Sequence, residues 1–192
     1  MATDTSWYAA PVPDTTRGAT AASLVDRAAA EPYVRHLPVY SIRAAAGRFL
    51  ENEEADEEGW VEAPGSLRDG MFAIRIAGRS MEPTIRDGAL ALFVADPAGG
   101  PLPGGREGKI VLAQLHEATD PEGGGSYTVK RYHSEKAADE AGGWRHTRIE
   151  LQSLNREIPD IELEPGMEVD VIAEFVGVVG DVSTPSDRNA TL

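Results

Sequence analysis

Two side chains in this sequence stand in surroundings that could support chemistry, Ser80 and Lys130. Ser80 lies in the stretch Ala77-Gly78-Arg79-Ser80-Met81-Glu82-Pro83-Thr84-Ile85-Arg86-Asp87-Gly88. An alternating apolar run ends at Ala77, Gly78 allows a turn, and Pro83 is a residue favoured in the first turn of a helix. The spacing predicts a short helix after Ser80, closed by Asp87-Gly88. Ser80 would then sit at a strand-to-helix junction, where backbone N–H groups have no intrahelical partner. A hydroxyl beside such donors is what acyl transfer needs, because the donors can hold a developing oxyanion. A serine at a helix start is equally a cap, so this stretch alone does not decide for catalysis.

A serine nucleophile needs a base. His36, His116, His133 and His146 are scattered through segments that read as exposed, and no pair has metal-ligand spacing. The chain has no cysteine, which removes thiolate nucleophiles, disulfides and cysteine-bound metal. The remaining base is a lysine that has lost its proton, which requires burial to pull its pKa down from about 10.4. Lys130 lies inside a strand-like run, Tyr127-Thr128-Val129-Lys130-Arg131-Tyr132. Strand alternation puts Thr128, Lys130 and Tyr132 on one face and Val129 with Arg131 on the other. A lysine guarding an exposed sheet edge fits the same pattern.

The elements that must position these residues are short strands. Phe72, Ile74 and Ile76 alternate with smaller or polar residues, and further apolar runs cover Gly88–Ala95, Lys109–Leu115, Ser126–Tyr132, Arg148–Leu154 and Glu168–Gly180. Turn-rich stretches at Gly99–Gly108 and Thr119–Gly125 separate them. The expectation is a mainly β domain over residues 37–182, after a flexible arm at 1–36 and before a flexible tail at 183–192. Within the arm, Ala21–Ala30 is expected to form a short helix ended by Pro32. Glu51–Glu58 carries six acids and is expected to be a solvated loop. Trp60 with Val61 is expected to anchor the strand after the acidic loop in the core, and Met81 to pack under the short helix or line the cleft beside Ser80.

Composition excludes several classes. The 192 residues carry 18 Lys+Arg against 32 Asp+Glu, a net charge of −14, so autonomous binding to nucleic acid is not expected. The arm is too small for a helix-turn-helix unit. No apolar run approaches the length of a membrane span, and no secretory signal is visible at the start. A cytoplasmic protein is the expectation.

The Gly78–Thr84 motif with Asp87-Gly88, followed by Tyr127–Tyr132, resembles the S24 peptidase family, which includes the LexA repressor, the UmuD mutagenesis protein and many phage repressors. Leu37-Pro38-Val39 followed by Ala44-Ala45-Ala46-Gly47 resembles the segment around that family's self-cleavage bond, with Gly47 33 residues before Ser80. Leu151–Leu163, with Asn155 and Pro159, and Val169–Gly180 resemble its last strands. The resemblance implies a LexA/UmuD-like β-barrel or sandwich and a serine endopeptidase. In it Ser80 would be the nucleophile, Lys130 the base, and the backbone amides at Arg79 and Ser80 the oxyanion hole, with Ala46–Gly47 the cleaved bond and no cofactor. It also implies a homodimer, the chain's own N-terminal segment as substrate, and a RecA-like, helicase or other DNA-processing partner in an SOS-type stress, repair or phage-related setting. Two departures stand out: there is no DNA-binding domain, and the Ser80–Lys130 interval is longer than in LexA-like proteins. Cleavage of a separate partner, or a binding module that keeps only the fold, are the competing expectations.

Overall fold

Alternation of apolar side chains along short strands builds one sheet with material packed on both faces. The computed structural model of the chain describes residues 23–50, 56–95, 105–138, 143–164 and 167–180. The strands are β1 (His36–Tyr40), β2 (Gly59–Glu62), β3 (Met71–Arg75), β4 (Leu90–Val94), β5 (Ile110–Leu115), β6 (Tyr127–Ala138), β7 (Trp144–Gln152), β8 (Ile161–Leu163) and β9 (Val169–Gly180), with helix α1 (Ile42–Leu50) between β1 and β2. They form a continuous nine-stranded sheet in the order β2-β1-β3-β4-β9-β5-β6-β7-β8. Its neighbours pair antiparallel except β1 with β3. Shifts of register where β9 meets β4 and β5, and between β6 and β7, mark bulges that bend the long strands.

The mainly β expectation holds, and the two-residue period explains how the core is shared. Phe72 and Ile74 of β3 and Ala91 and Phe93 of β4 join one cluster, together with Leu112 and Val129. Their neighbours Met71, Ala73, Leu90 and Leu92 turn to the opposite face and pack with Leu37, Val39 and Val61. Beyond β9, Val111, Ala113 and Leu115 of β5 pack with Tyr132, Leu151 and Ile161. Trp60 and Val61 are buried, as expected.

Three local expectations are corrected. Residues 23–30 contain no helix: Val25 and Trp60 exchange backbone hydrogen bonds of 2.9 Å in an isolated bridge, and residues 27–29 form a turn in which Ala29 N–H and Ala30 N–H donate to Asp26 O. No helix follows Ser80; residues 80–85 are turns, with Glu82 N–H donating to Arg79 O (3.1 Å) and Ile85 N–H to Met81 O (2.9 Å), while Pro83 has no N–H to give. The helix among the described residues is instead α1, on the segment expected to hold the cleavage bond. Ser41 caps it, its hydroxyl accepting from Ala44 N–H at 3.1 Å, and Ala45, Ala46 and Phe49 turn toward the β3/β4 core. Residues 1–22, the acidic run at 51–55 and the tail from residue 181 lie outside the described residues.

Phe49 stacks on Phe72 (centroids 4.5 Å), Phe72 on Phe93 (6.0 Å), and Phe93 meets Phe175 edge-on (5.9 Å), joining α1, β3, β4 and β9. Phe93→Ala is therefore expected to cost about 3–5 kcal/mol, read from chemical denaturation. A loss below about 1 kcal/mol would show that this aromatic file does not organise the core.

Candidate active site

Ser80 lies in the connection from β3 to β4, and backbone bonds hold that connection at its base. Ile76 N–H donates to Ala89 O and Gly88 N–H to Ile76 O, each at 2.9 Å. Asp87 Oδ1 accepts from Gly78 N–H at 2.8 Å, closing the turn where Gly78 takes a positive φ of 102°. A second grip comes from the turn after β7: Leu154 N–H and Asn155 N–H both donate to Ser80 O (2.8 and 2.9 Å), and the Asn155 side-chain amide donates to Arg79 O (3.3 Å). Arg79 C=O and Ser80 N–H belong to one trans peptide plane and point in opposite directions. Holding that carbonyl on Asn155 thus aims the Ser80 amide the other way, toward the cavity.

Lys130 lies on β6, which is flanked by β5 and β7, so the edge-lysine pattern does not apply. Its side chain is 1% exposed. Nζ donates to Ser80 Oγ at 2.9 Å and to Asp120 Oδ2 at 2.9 Å. The expected alternation is present: Thr128, on the same face, gives its hydroxyl hydrogen to that same Asp120 oxygen. Asp120 Oδ1 accepts from Glu122 N–H (2.9 Å) and Gly123 N–H (2.7 Å). Burial pushes the Asp120 pKa up, but the bonds from Thr128, the Gly123 amide and Lys130, with the charge of Lys130, outweigh it and hold the carboxyl below its ordinary range.

Arg79 and Ser80, named from the sequence as backbone donors, both aim their amides at one carboxylate. Arg79 N–H donates to Glu122 Oε1 at 2.6 Å and Ser80 N–H to Glu122 Oε2 at 3.1 Å. Ser80, Lys130, Asp120, Glu122 and Met81 line one cavity of about 440 Å³, with Ile42 and Arg43 at the start of α1 on its wall. Met81 is buried in the core as well.

The structure brings Ser80, Lys130 and the Arg79/Ser80 amides together; Ala46 and Gly47 it keeps apart. Both sit within α1 rather than in an extended strand, and Ala46 is fully buried in the core. In a helix each carbonyl is committed to the amide four residues on, so this bond is not presented to a nucleophile. The four histidines stay away from the cavity: His116 pairs with Asp170, His133 with Glu107, and His36 Nδ1 accepts from Glu31 N–H. Among the described residues no three His, Asp or Glu side chains group as metal ligands. No helix there is long and apolar enough to cross a membrane.

Sequence reasoning missed Asp120 and Glu122, which it placed in an ordinary turn. Asp followed by a Gly-rich stretch does signal a side chain bonded to its own turn. Nothing local says that this turn folds over Ser80, more than 40 residues earlier.

Comparison with known families gives one match: the model described as Peptidase S24-like covers residues 38–178. No curated protein matches the chain. The matched range spans β1 to β9 and contains every residue of the cavity wall.

Asp120 supplies a pH test. Its folded pKa lies below the unfolded value of about 3.9, so its ionised form contributes stability above that pH, lost as the pH falls through the folded value. Melting temperature followed from about pH 7 to about pH 2 should show Asp120→Asn less stable at neutral pH and with a shallower acid limb than wild type. Parallel acid limbs would mean that Asp120 does not carry this linkage.

Proposed function

The chain belongs to the S24-like peptidase family, and from that premise we propose a serine endopeptidase in which Ser80 is the nucleophile, Lys130 the general base and Ala46–Gly47 the bond cut. The observation that carries the reading is the 2.9 Å contact between Nζ of a fully buried lysine and Ser80 Oγ. That distance lies within reach for proton transfer. An uncharged Lys130 amine takes the Ser80 hydroxyl proton as Oγ bonds to the Ala46 carbonyl carbon. The carbonyl oxygen becomes an oxyanion held by the Arg79 and Ser80 amides. The C–N bond breaks, Lys130 returns the proton to the Gly47 nitrogen, and an ester joins Ser80 to Ala46. Water then attacks the ester, giving its proton to Lys130; the ester C–O bond breaks, Ser80 Oγ takes that proton, and a free Ala46 carboxylate leaves.

Self-cleavage requires α1 to unwind. A nine-residue helix is marginal on its own, and Gly47 in its middle costs about 1 kcal/mol relative to alanine. Ile42 and Arg43 already border the cavity, so a released segment starts beside the nucleophile. Attack within one chain gives a weak nucleophile a high effective concentration. One cut that frees the preceding segment suits a regulatory switch, in keeping with the stress-response and repair setting of the proteins it resembles. One observation favours a second reading, cleavage of another chain: Ala46 and Gly47 do not line the cavity beside Ser80, and Ala46 is buried in the core.

Incubation at about pH 9–10, where lysine approaches its ordinary pKa, followed by mass spectrometry of the fragments tests both. The expected result is a cut between Ala46 and Gly47 at a rate independent of protein concentration, reduced at least about 10³-fold in Ser80→Ala and Lys130→Met. A rate rising with concentration would select cleavage of a second chain. A chain left intact at every pH, inert also toward added unfolded protein, would overturn the peptidase reading.

A further inference from the structure

The donors assigned to the oxyanion are not free. Glu122 takes both amides, one on each carboxylate oxygen, at 2.6 and 3.1 Å. Amide bonds to an ionised acceptor are roughly twice as strong as neutral ones, so an incoming peptide carbonyl competes at a disadvantage. Close fit supports the contact: a side-chain carbon on Gly78 would stand 2.6 Å from Glu122 Cδ, so only glycine leaves room for the carboxylate there.

The loop that carries Glu122 is built to hold this position. Leu115 N–H donates to Ser126 O (2.7 Å) where the loop leaves the β5–β6 hairpin, and Asp120 N–H to Gly125 O (2.8 Å) and Gly124 N–H to Asp120 O (2.7 Å) close its turn. Asp120 rivets the loop to β6 through Thr128 and Lys130. Its ion pair with Nζ suits a charged amine, whereas a general base must be uncharged. Two acids, two residues apart, thus occupy both working ends of the site. Gly123, Gly124 and Gly125 follow directly, with Gly124 at a φ of 65° that other residues rarely adopt. The β5–β6 register closes at Gln114↔Tyr127, so withdrawal of the loop would leave that strand pairing in place and break the bonds from Asp120 to Thr128 and Lys130.

We propose that Glu122 is a built-in occupant of the oxyanion hole, standing where the carbonyl of a bound peptide or the carboxylate of a cleaved product would lie, and that the site opens when the 116–126 loop withdraws. This rests on the peptidase reading of the Arg79 and Ser80 amides. Ligands of the site are extended peptides and peptides with a free C-terminal carboxylate, and their apparent affinity is reduced by the fraction of molecules with the loop withdrawn.

The test uses the full chain, as wild type, Glu122→Ala and the near-isosteric Glu122→Gln, with folding checked by circular dichroism. The Arg79 and Ser80 amides are followed by NMR during titration with acetyl-Ala-Ala-Ala, which carries a product-like carboxylate and reproduces residues 44–46. Expected are a displacement of both amide signals in the two variants, tripeptide binding about ten-fold or more tighter in Glu122→Ala, and a Ser80-dependent cut accelerated by a similar factor. Amide signals unchanged in both variants, or equal tripeptide affinity for all three proteins, would overturn the occupant. The two readings fail separately. Cleavage at equal rates in wild type and Glu122→Ala removes the occupant and leaves the peptidase. Absence of cleavage in every protein, with tighter tripeptide binding in Glu122→Ala, removes the peptidase and leaves a carboxylate site guarded by Glu122.

Discussion

A lysine amine only 1% exposed must donate its hydrogen bonds to protein acceptors, because an unpartnered buried cation is strongly disfavoured. Here Nζ finds two acceptors, Ser80 Oγ and Asp120 Oδ2. Much else in the structure follows from bringing those two oxygens to it. The β3–β4 connection is pinned at its base by backbone bonds and on its flank by Leu154 and Asn155, which together set Ser80 over β6. The β5–β6 loop turns back so that Asp120 reaches the same amine. Interior placement of β6 leaves Lys130 1% exposed.

The same arrangement holds a tension. The contacts that satisfy Lys130 are those of a charged group, and the amides beside Ser80 face a carboxylate. A buried ion pair is weak support for stability but effective at fixing one geometry, and here it fixes a closed one. Helix α1 adds a second restraint: Ala46 packs into the β3/β4 core while the bond that follows it is locked in helical hydrogen bonding. Loop and helix border the same cavity from different parts of the chain. Release of either involves few buried contacts compared with the sheet, the usual property of segments that move.

Much of this was legible in the residues. Alternation in Phe72–Ile76 and in Tyr127–Tyr132 marks strands with two distinct faces; Thr128, Lys130 and Tyr132 on their shared face are all buried, while the opposite face of β6 holds buried Val129 and exposed Arg131. Gly78 and Asp87-Gly88 frame a turn around Ser80, and the paired motifs point to the family whose model covers residues 38–178. The helix expected after Ser80 is absent: the bonds from Glu82 N–H to Arg79 O and from Ile85 N–H to Met81 O close separate turns. The Ala44–Gly47 segment, expected to hold the cleaved bond, is helical, because Ala45, Ala46 and Phe49 share one face and find the β3/β4 core beneath them.

By itself the sequence determined which residue types could carry chemistry, the strand period that sets Thr128, Lys130 and Tyr132 on one face, and the turn residues Gly78 and Asp87-Gly88 around Ser80. These are local properties, set by side-chain chemistry and backbone sterics within a few residues. Tertiary structure alone decided that Lys130 is interior rather than at an edge, that Asp120 shares its amine, and that Glu122 covers the Ser80 amides. Each of those depends on strand order and on a loop closing over a site more than 40 residues away in the chain. Such contacts arise from packing of the whole sheet, and no short stretch of residues encodes them.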